Sequence, residues 1–166
     1  MSERPKQGSS RLAQQGDIGP MAELAREARR EALSYRGGDR WMATEAAPEP
    51  LEDHLERLLS DPSAVVVAGV WEDAVVGYGW ARRIARQDGS AIARIEELFV
   101  TSEARSVGVG ESLFNALAQW AREQGLSAMD AFVLPGHREA KNFFETFKMT
   151  AHALIVHTRL EPDQEA

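Results

Sequence analysis

Residues 95–110 read Ile95-Glu96-Glu97-Leu98-Phe99-Val100, then Thr101-Ser102-Glu103-Ala104-Arg105, then Ser106-Val107-Gly108-Val109-Gly110. A largely apolar run passes through a polar loop to two glycines, and beyond them Leu113, Phe114, Leu117, Trp120 and Ala121 recur at helical spacing. The pattern is strand, loop, glycine turn, helix. The first N–H groups of a helix have no carbonyl partner inside it, and the dipole there favours negative charge. Glycine lets an anion approach the backbone closely. Arg105 adds a cation that can grip phosphate oxygens. These residues predict a phosphate cradle built from main chain and one side chain.

Two common cradles do not fit. A P-loop needs lysine followed by serine or threonine after its last glycine, and Glu111 and Ser112 follow Gly110. A dinucleotide fingerprint needs G-x-G-x-x-G directly after its strand; here Leu113 stands where the third glycine would be, and several loop residues separate strand from turn. Asp130 stands about as far beyond Gly110 as a ribose-binding acid would, but inside an expected strand.

Outward from this stretch, the strand at 92–100 is the third of a meander. Val65 to Trp71 is the first strand and Ala74 to Ile84 the second, with turns at Glu72–Asp73 and Arg86–Ser90. Before them, Asp17 to Pro20 predicts a helix start. Met21, Leu24, Ala25, Ala28, Ala32 and Leu33 form its apolar stripe, and Gly37 with Gly38 its end. Arg26, Arg29 and Arg30 read as a solvated basic face. A loop through Trp41 leads to Leu51, Leu55, Leu58 and Leu59, a second amphipathic helix stopped by Asp61 and Pro62. After the glycine-opened helix ends at Gly125, a strand is expected at 128–134, a short helix at 138–147 and a last strand at 151–160. The strands at 92–100 and 128–134 are joined by a helix, which makes them parallel. The expected fold is α/β: one domain over 17–160, with a mixed, mostly antiparallel sheet holding a central parallel pair, flanked by helices. Residues 1–16 are expected to be a disordered tail and 161–166 a loose acidic one.

Composition narrows the function. There is no cysteine, which excludes disulfides, thiolate metal sites and a cysteine nucleophile. The four histidines show no ligand spacing, so no metal is expected. A formal net charge of −7 argues against nucleic-acid binding. No stretch resembles a signal peptide or approaches the roughly 20 apolar residues of a membrane span, and the expected location is the cytoplasm.

Arg105-x-x-Gly108-x-Gly110, preceded by Leu98-Phe99-Val100, resembles the acetyl-CoA signature of the GCN5-related N-acetyltransferase (GNAT) superfamily. The resemblance extends over about 63–160. It implies that acetyl-CoA is the cosubstrate. Its pyrophosphate would rest on the N–H groups of Ser106, Val107, Gly108, Val109, Gly110 and Glu111. Its pantetheine arm would pair with the main chain of Leu98, Phe99 and Val100. The strands at 92–100 and 128–134 would splay around the thioester, whose carbonyl an N–H near Val100 would polarise. A second family segment, N-x-x-A-x-x-F-Y, is met by His137, Ala140, Phe143 and Phe144. His137 stands where the family has asparagine. Phe144 stands where it has the tyrosine that protonates the leaving thiolate, and phenylalanine has no proton to give. Both positions are implied cofactor contacts.

The reading that follows is transfer of acetyl to a primary amine of a small molecule or peptide by direct attack; a non-catalytic acetyl-CoA-binding regulatory module is the alternative. Glu97, or else Glu96, is the candidate base, acting through water, since strand neighbours face opposite sides and only one can face the acceptor. Tyr78, on an adjacent strand, is the candidate replacement acid, with a plain sheet aromatic as the alternative. A homodimer through the last strand stays open, and no segment names the amine.

Overall fold

The computed structural model of the protein describes residues 7–160. Five strands form one sheet in sequence order: β1 (Ser9–Leu12), β2 (Ala64–Trp71), β3 (Ala74–Ala85), β4 (Ala91–Val100) and β5 (Met129–Ala131). The first four pair antiparallel, whereas β4 and β5 run parallel, as their helical crossover requires. Five α-helices accompany them: α1 (Ile18–Ala32), α2 (Gly38–Thr44), α3 (Leu51–Ser60), α4 (Val109–Glu123) and α5 (Arg138–Thr146). The described chain divides at Gly136 into two units, and α5 with residues 147–160 belongs to the second.

The helices cover both sheet faces. On one side Ile18, Met21, Ala22 and Ala25 of α1 and Leu51, Leu55 and Leu58 of α3 pack with Val66, Ala68, Tyr78, Trp80 and Phe99. On the other side α4 lies against small residues. A Cβ at Gly69 would fall 2.6 Å from Val109 Cγ1, and one at Gly79 would fall 3.1 Å from Leu117 Cδ1. Glycine is what lets α4 come this close. Leu113 and Leu117 of α4 are fully buried, each stabilising the fold by about 1.5–3 kcal/mol.

Several expectations are corrected. Of the expected tail at 1–16, residues 9–12 form β1, and 1–6 lie outside the described residues, as does 161–166. Ser-Ser-Arg-Leu carries little strand signal of its own. It is held by pairing with β2, by Ser10 Oγ donating to Ser112 O (2.9 Å), and by an Arg11–Asp17 ion pair (2.6 Å). The first helix ends at Ala32. Gly37, with φ +85°, stands at the N-cap of α2 instead, and α2 places Trp41 in a helix where a loop was expected. Gly37 adopts the left-handed conformation that glycine tolerates, so it opens a new helix after a turn. The strand at 128–134 shrinks to three residues because β4 pairs with it only from Ala93 to Ile95. The expected strand at 151–160 has no regular structure, and Leu154, Val156 and Leu160 are exposed. Its apolar residues supply a strand-like pattern, but among the described residues none of 151–160 is paired in a ladder.

Candidate active site

β4 keeps β3 as a partner through Val100 but loses β5 beyond Ile95. From Glu96 to Val100 the edge away from β3 therefore has no strand against it among the described residues. Which groups point there follows from alternation. Thr101 N–H donates to Val76 O on the β3 side (2.9 Å). Successive N–H groups point to opposite edges, so those of Val100 and Leu98 face the open edge and that of Phe99 faces β3. The Val100 carbonyl, on the same edge as its N–H, accepts from Arg105 Nε at 2.9 Å.

Following the edge leads to the glycine turn. A short 3₁₀ turn at Ser102–Ala104 ends at Arg105, and Ser106 to Gly108 lead into α4. Gly108 has φ +86° and occupies the N-cap, where it has no side chain to cap the helix. Its carbonyl accepts the first helical bond, from Ser112 N (3.0 Å). The N–H groups of Val109, Gly110 and Glu111 thus have no carbonyl one turn earlier and no capping side chain. Val109 itself is buried, and Val107 O accepts from Gly8 N at 2.7 Å, which seats the turn against β1. Arg105 bends back from the turn. Its Nη2 meets Glu31 Oε2 at 2.6 Å, and its guanidinium carbon lies 5.5 Å from the Phe99 ring centre. The main chain of the turn, with the helix dipole, has the chemistry that could hold an anion.

The two carboxylates are not arranged by simple alternation. Trp80 pairs with Glu97 and Ala81 with Ile95, so Glu96 is an extra residue in a β-bulge. The bulge turns both acids to one face of the sheet. Glu96 meets Arg82 Nε at 3.3 Å and Glu97 meets Tyr78 Oη at 2.9 Å, on the face where the Tyr78 and Trp80 rings stack (4.8 Å). The expectation that only one of them could face that side is corrected by this extra residue.

Their environments differ sharply. Glu96 is partly exposed. Glu97 is 8% exposed and fully engaged. Arg29 Nη2 reaches its Oε1 at 3.0 Å, Arg29 Nη1 its Oε2 at 3.3 Å, and Ala47 N–H its Oε1 at 3.3 Å, in addition to the Tyr78 hydroxyl. Burial pushes the Glu97 carboxyl above the ordinary carboxylate range, against the pull of Arg29, Ala47 N–H and Tyr78. Burial, and next the charge of Glu97, push the Tyr78 hydroxyl well above its usual value. Tyr78 thus holds its only proton tightly and donates it to Glu97.

Arg29 and Ala47 are the functional candidates that sequence reading missed. Arg29 is buried, not on a solvated face, and Arg26 is tied to Glu23, Glu49 and Glu52. A signal existed for Arg29: it continues the i, i+4, i+8 stripe of Met21 and Ala25, so the helix carries a charge in its apolar face. No signal marked Ala47, which acts through its backbone. His137 stands at the N-cap of α5, and Phe144 lies within that helix against Phe143 in an edge-to-face contact (5.2 Å). Among the described residues no group of three His, Cys, Asp or Glu could hold a metal ion, and no helix is long and apolar enough to cross a membrane.

A mixed sheet whose parallel strands part beside a glycine-opened helix with no capping side chain defines a class of α/β fold. Comparison with known proteins identifies its family. The model of the acetyltransferase (GNAT) family matches residues 22–149. The chain belongs to this family; it is a GNAT-type N-acetyltransferase, and the family uses acetyl-CoA as cosubstrate. No curated protein matches the chain by sequence. Among solved structures, a mutant of the BH1408 protein from Bacillus halodurans is 17% identical with a TM-score of 0.80, over 92% of this chain and 99% of that one. An aminoglycoside acetyltransferase from an uncultured soil metagenomic sample, in complex with sisomicin, is 20% identical with a TM-score of 0.66, over 94% and 97%. A ribosomal-protein-alanine N-acetyltransferase from Brucella melitensis is 17% identical with a TM-score of 0.66, over 93% and 99%.

Proposed function

We propose that the protein transfers the acetyl group of acetyl-CoA to a primary amine by direct attack. The observation that carries this reading is the continuous path from the open edge of β4 to the uncapped start of α4. An extended pantetheine arm suits the Leu98 and Val100 N–H groups, and a pyrophosphate suits the turn from Ser106 to Glu111. Arg105, in the same turn, would add a cation to the phosphate on leaving Glu31, which holds it here. The two similar structures named for an aminoglycoside and for a ribosomal-protein alanine are N-acetyltransferases or acetyltransferases of amine-bearing acceptors, which favours an amine here.

The neutral amine attacks the thioester carbonyl carbon, the C–N bond forms, and the C–S bond breaks. An N–H on the open edge at Val100 stabilises the charge that develops on the carbonyl oxygen. The amine's proton must go to a carboxylate with a lone pair to offer. Glu97 has its lone pairs filled by four donors, whereas Glu96 is partly exposed and held by one 3.3 Å contact. Glu96, acting through water, takes the base's role in this reading. The thiolate leaves without a protein acid, since a thiol of pKa about 8.5 is a fair leaving group near neutral pH. That removes the need for a tyrosine at Phe144 and for proton donation by Tyr78.

Thiol release with acetyl-CoA and a panel of amines tests the reading. Glu96→Gln should lower kcat/KM about 100-fold and flatten the acidic limb of its pH profile, the usual size of a general-base contribution. Tight acetyl-CoA binding with no thiol released by any amine would favour the regulatory module instead.

A further inference from the structure

Arg29 is a hub between four pieces of chain. It sits on α1 and reaches Glu97 on β4, the Ala47 carbonyl in the segment between α2 and α3 (3.0 Å), and its own helix at Ala25 O (2.8 Å). Its guanidinium carbon also lies 5.8 Å from the ring centre of Trp41 on α2. Ala47 is held twice: its N–H donates to Glu97 and its C=O accepts from Arg29. A buried ion pair is weak as a pure stabiliser, because desolvating both charges offsets most of their attraction. Its geometry is specific, however: both Arg29 Nη atoms and both Glu97 carboxylate oxygens are matched. Arg26, one turn earlier on α1, binds Glu49 of the same segment and Glu52 in the first turn of α3 from outside.

The location gives the pair a use. Glu97 directly precedes Leu98, the first residue whose N–H faces the open edge. On the sheet face that carries Gly77 and Gly79, α4 fills the space. An amine approaching a thioester on that edge would then come from the α1 and α2 side, where Trp41 and Ala47 gather with Arg29 about Glu97. Resting on the acyl-transfer reading above, we propose that the Arg29–Glu97 pair is a positioning device for the acceptor. It pins α2 and residues 45–50 at the reacting end of β4, so that recognition of the amine depends on it, while donor binding and proton removal do not.

The experiment compares Glu97→Gln and Arg29→Lys with the unaltered protein. Glu97→Gln keeps shape but removes the charge. Arg29→Lys keeps the charge but cannot span Glu97 and Ala47 together. Probes are acetyl-CoA with spermidine, tobramycin and an alanine-ended peptide, whichever are turned over. In both variants KM for the amine should rise about tenfold, while KM for acetyl-CoA and the pKa in the pH profile stay put. Hydrogen exchange across 38–47 should speed up, a readout that needs no turnover. Arg29→Lys serves as the test should Glu97→Gln fail to fold. A shifted acidic limb with a collapse of kcat in Glu97→Gln would make Glu97 the base and overturn the proposal. Unchanged amine KM, or equal losses toward both substrates, would also overturn it while leaving the acyl-transfer reading intact. No thiol release by the unaltered protein with any amine would remove both.

Discussion

Replacing Tyr78 with phenylalanine separates a structural hydroxyl from a catalytic one. Tyr78 is wholly buried, and its ring stacks on Trp80 and lies 6.1 Å from Phe99. Phenylalanine keeps those contacts, so no cavity larger than one oxygen is opened. What is lost is the donation to Glu97 Oε2 at 2.9 Å. A hydrogen bond to a charged partner contributes about 1.5–3 kcal/mol. Glu97 Oε2 still receives Arg29 Nη1 at 3.3 Å, which points to the lower half of that range, about 1.5–2 kcal/mol. For a chain of this size each kcal/mol moves Tm by about 2–4 °C, so a fall of about 3–8 °C is expected. The loss has a definite pH sign. Burial raises the Glu97 carboxyl in the folded state, so the folded protein holds that proton at pH values where the unfolded chain has lost it. The cost of ionised Glu97 therefore grows as pH rises from about 4.3, the unfolded value, through the folded one. Removing the hydroxyl raises the carboxyl further, so the deficit should be largest at neutral pH and shrink as the pH falls toward the unfolded value of about 4.3. Thermal melts at both pH values, with acetyl-transfer rates on the same samples, read this out. Near-normal kcat with a lowered Tm is expected. An unchanged Tm with a kcat loss of about 100-fold would make Tyr78 the proton donor and refute the reasoning.

Other predictions follow from the same geometry. Gly108→Val and Gly125→Val both force a side chain into a left-handed residue, with φ +86° and +71°, each costing about 1–2 kcal/mol; both should lower Tm alike, but only Gly108→Val should weaken acetyl-CoA binding by calorimetry. His54 is held below its usual pKa, first by burial and then by Arg57 and Arg82. The unfolded chain therefore takes up that proton first as pH falls below about 6.5, and stability declines from there down to the folded value; His54→Leu should flatten that part of a Tm-versus-pH curve.

The meander, its parallel crossover and the glycine-opened helix α4 were legible because each is carried by local pattern. Val65 to Trp71 is a short β-branched apolar run closed by a turn, and Leu113 to Ala121 keeps a helical period, which is enough to tell strand from helix. What escaped depends on partners distant in the chain. Four residues at 9–12 become a strand only because β2 offers an edge. The bulge at Glu96 exists only in the register between β3 and β4, and it changes which acids share a face. Arg29 and Glu97 lie far apart in sequence, and their pairing requires α1 to be laid across the sheet. The run at 151–160 failed in the opposite sense: Leu154, Ile155 and Val156 have strand chemistry, and strand chemistry alone does not make a ladder.

The central claim is that the open edge of β4 and the start of α4 together seat acetyl-CoA. Titrating acetyl-CoA into the isotope-labelled protein and following backbone amide resonances tests it most directly. The largest shifts should fall on Leu98, Val100 and residues 106–111, with Phe99, whose N–H faces β3, moving less. Shifts centred elsewhere, or none at saturating acetyl-CoA, would contradict the account.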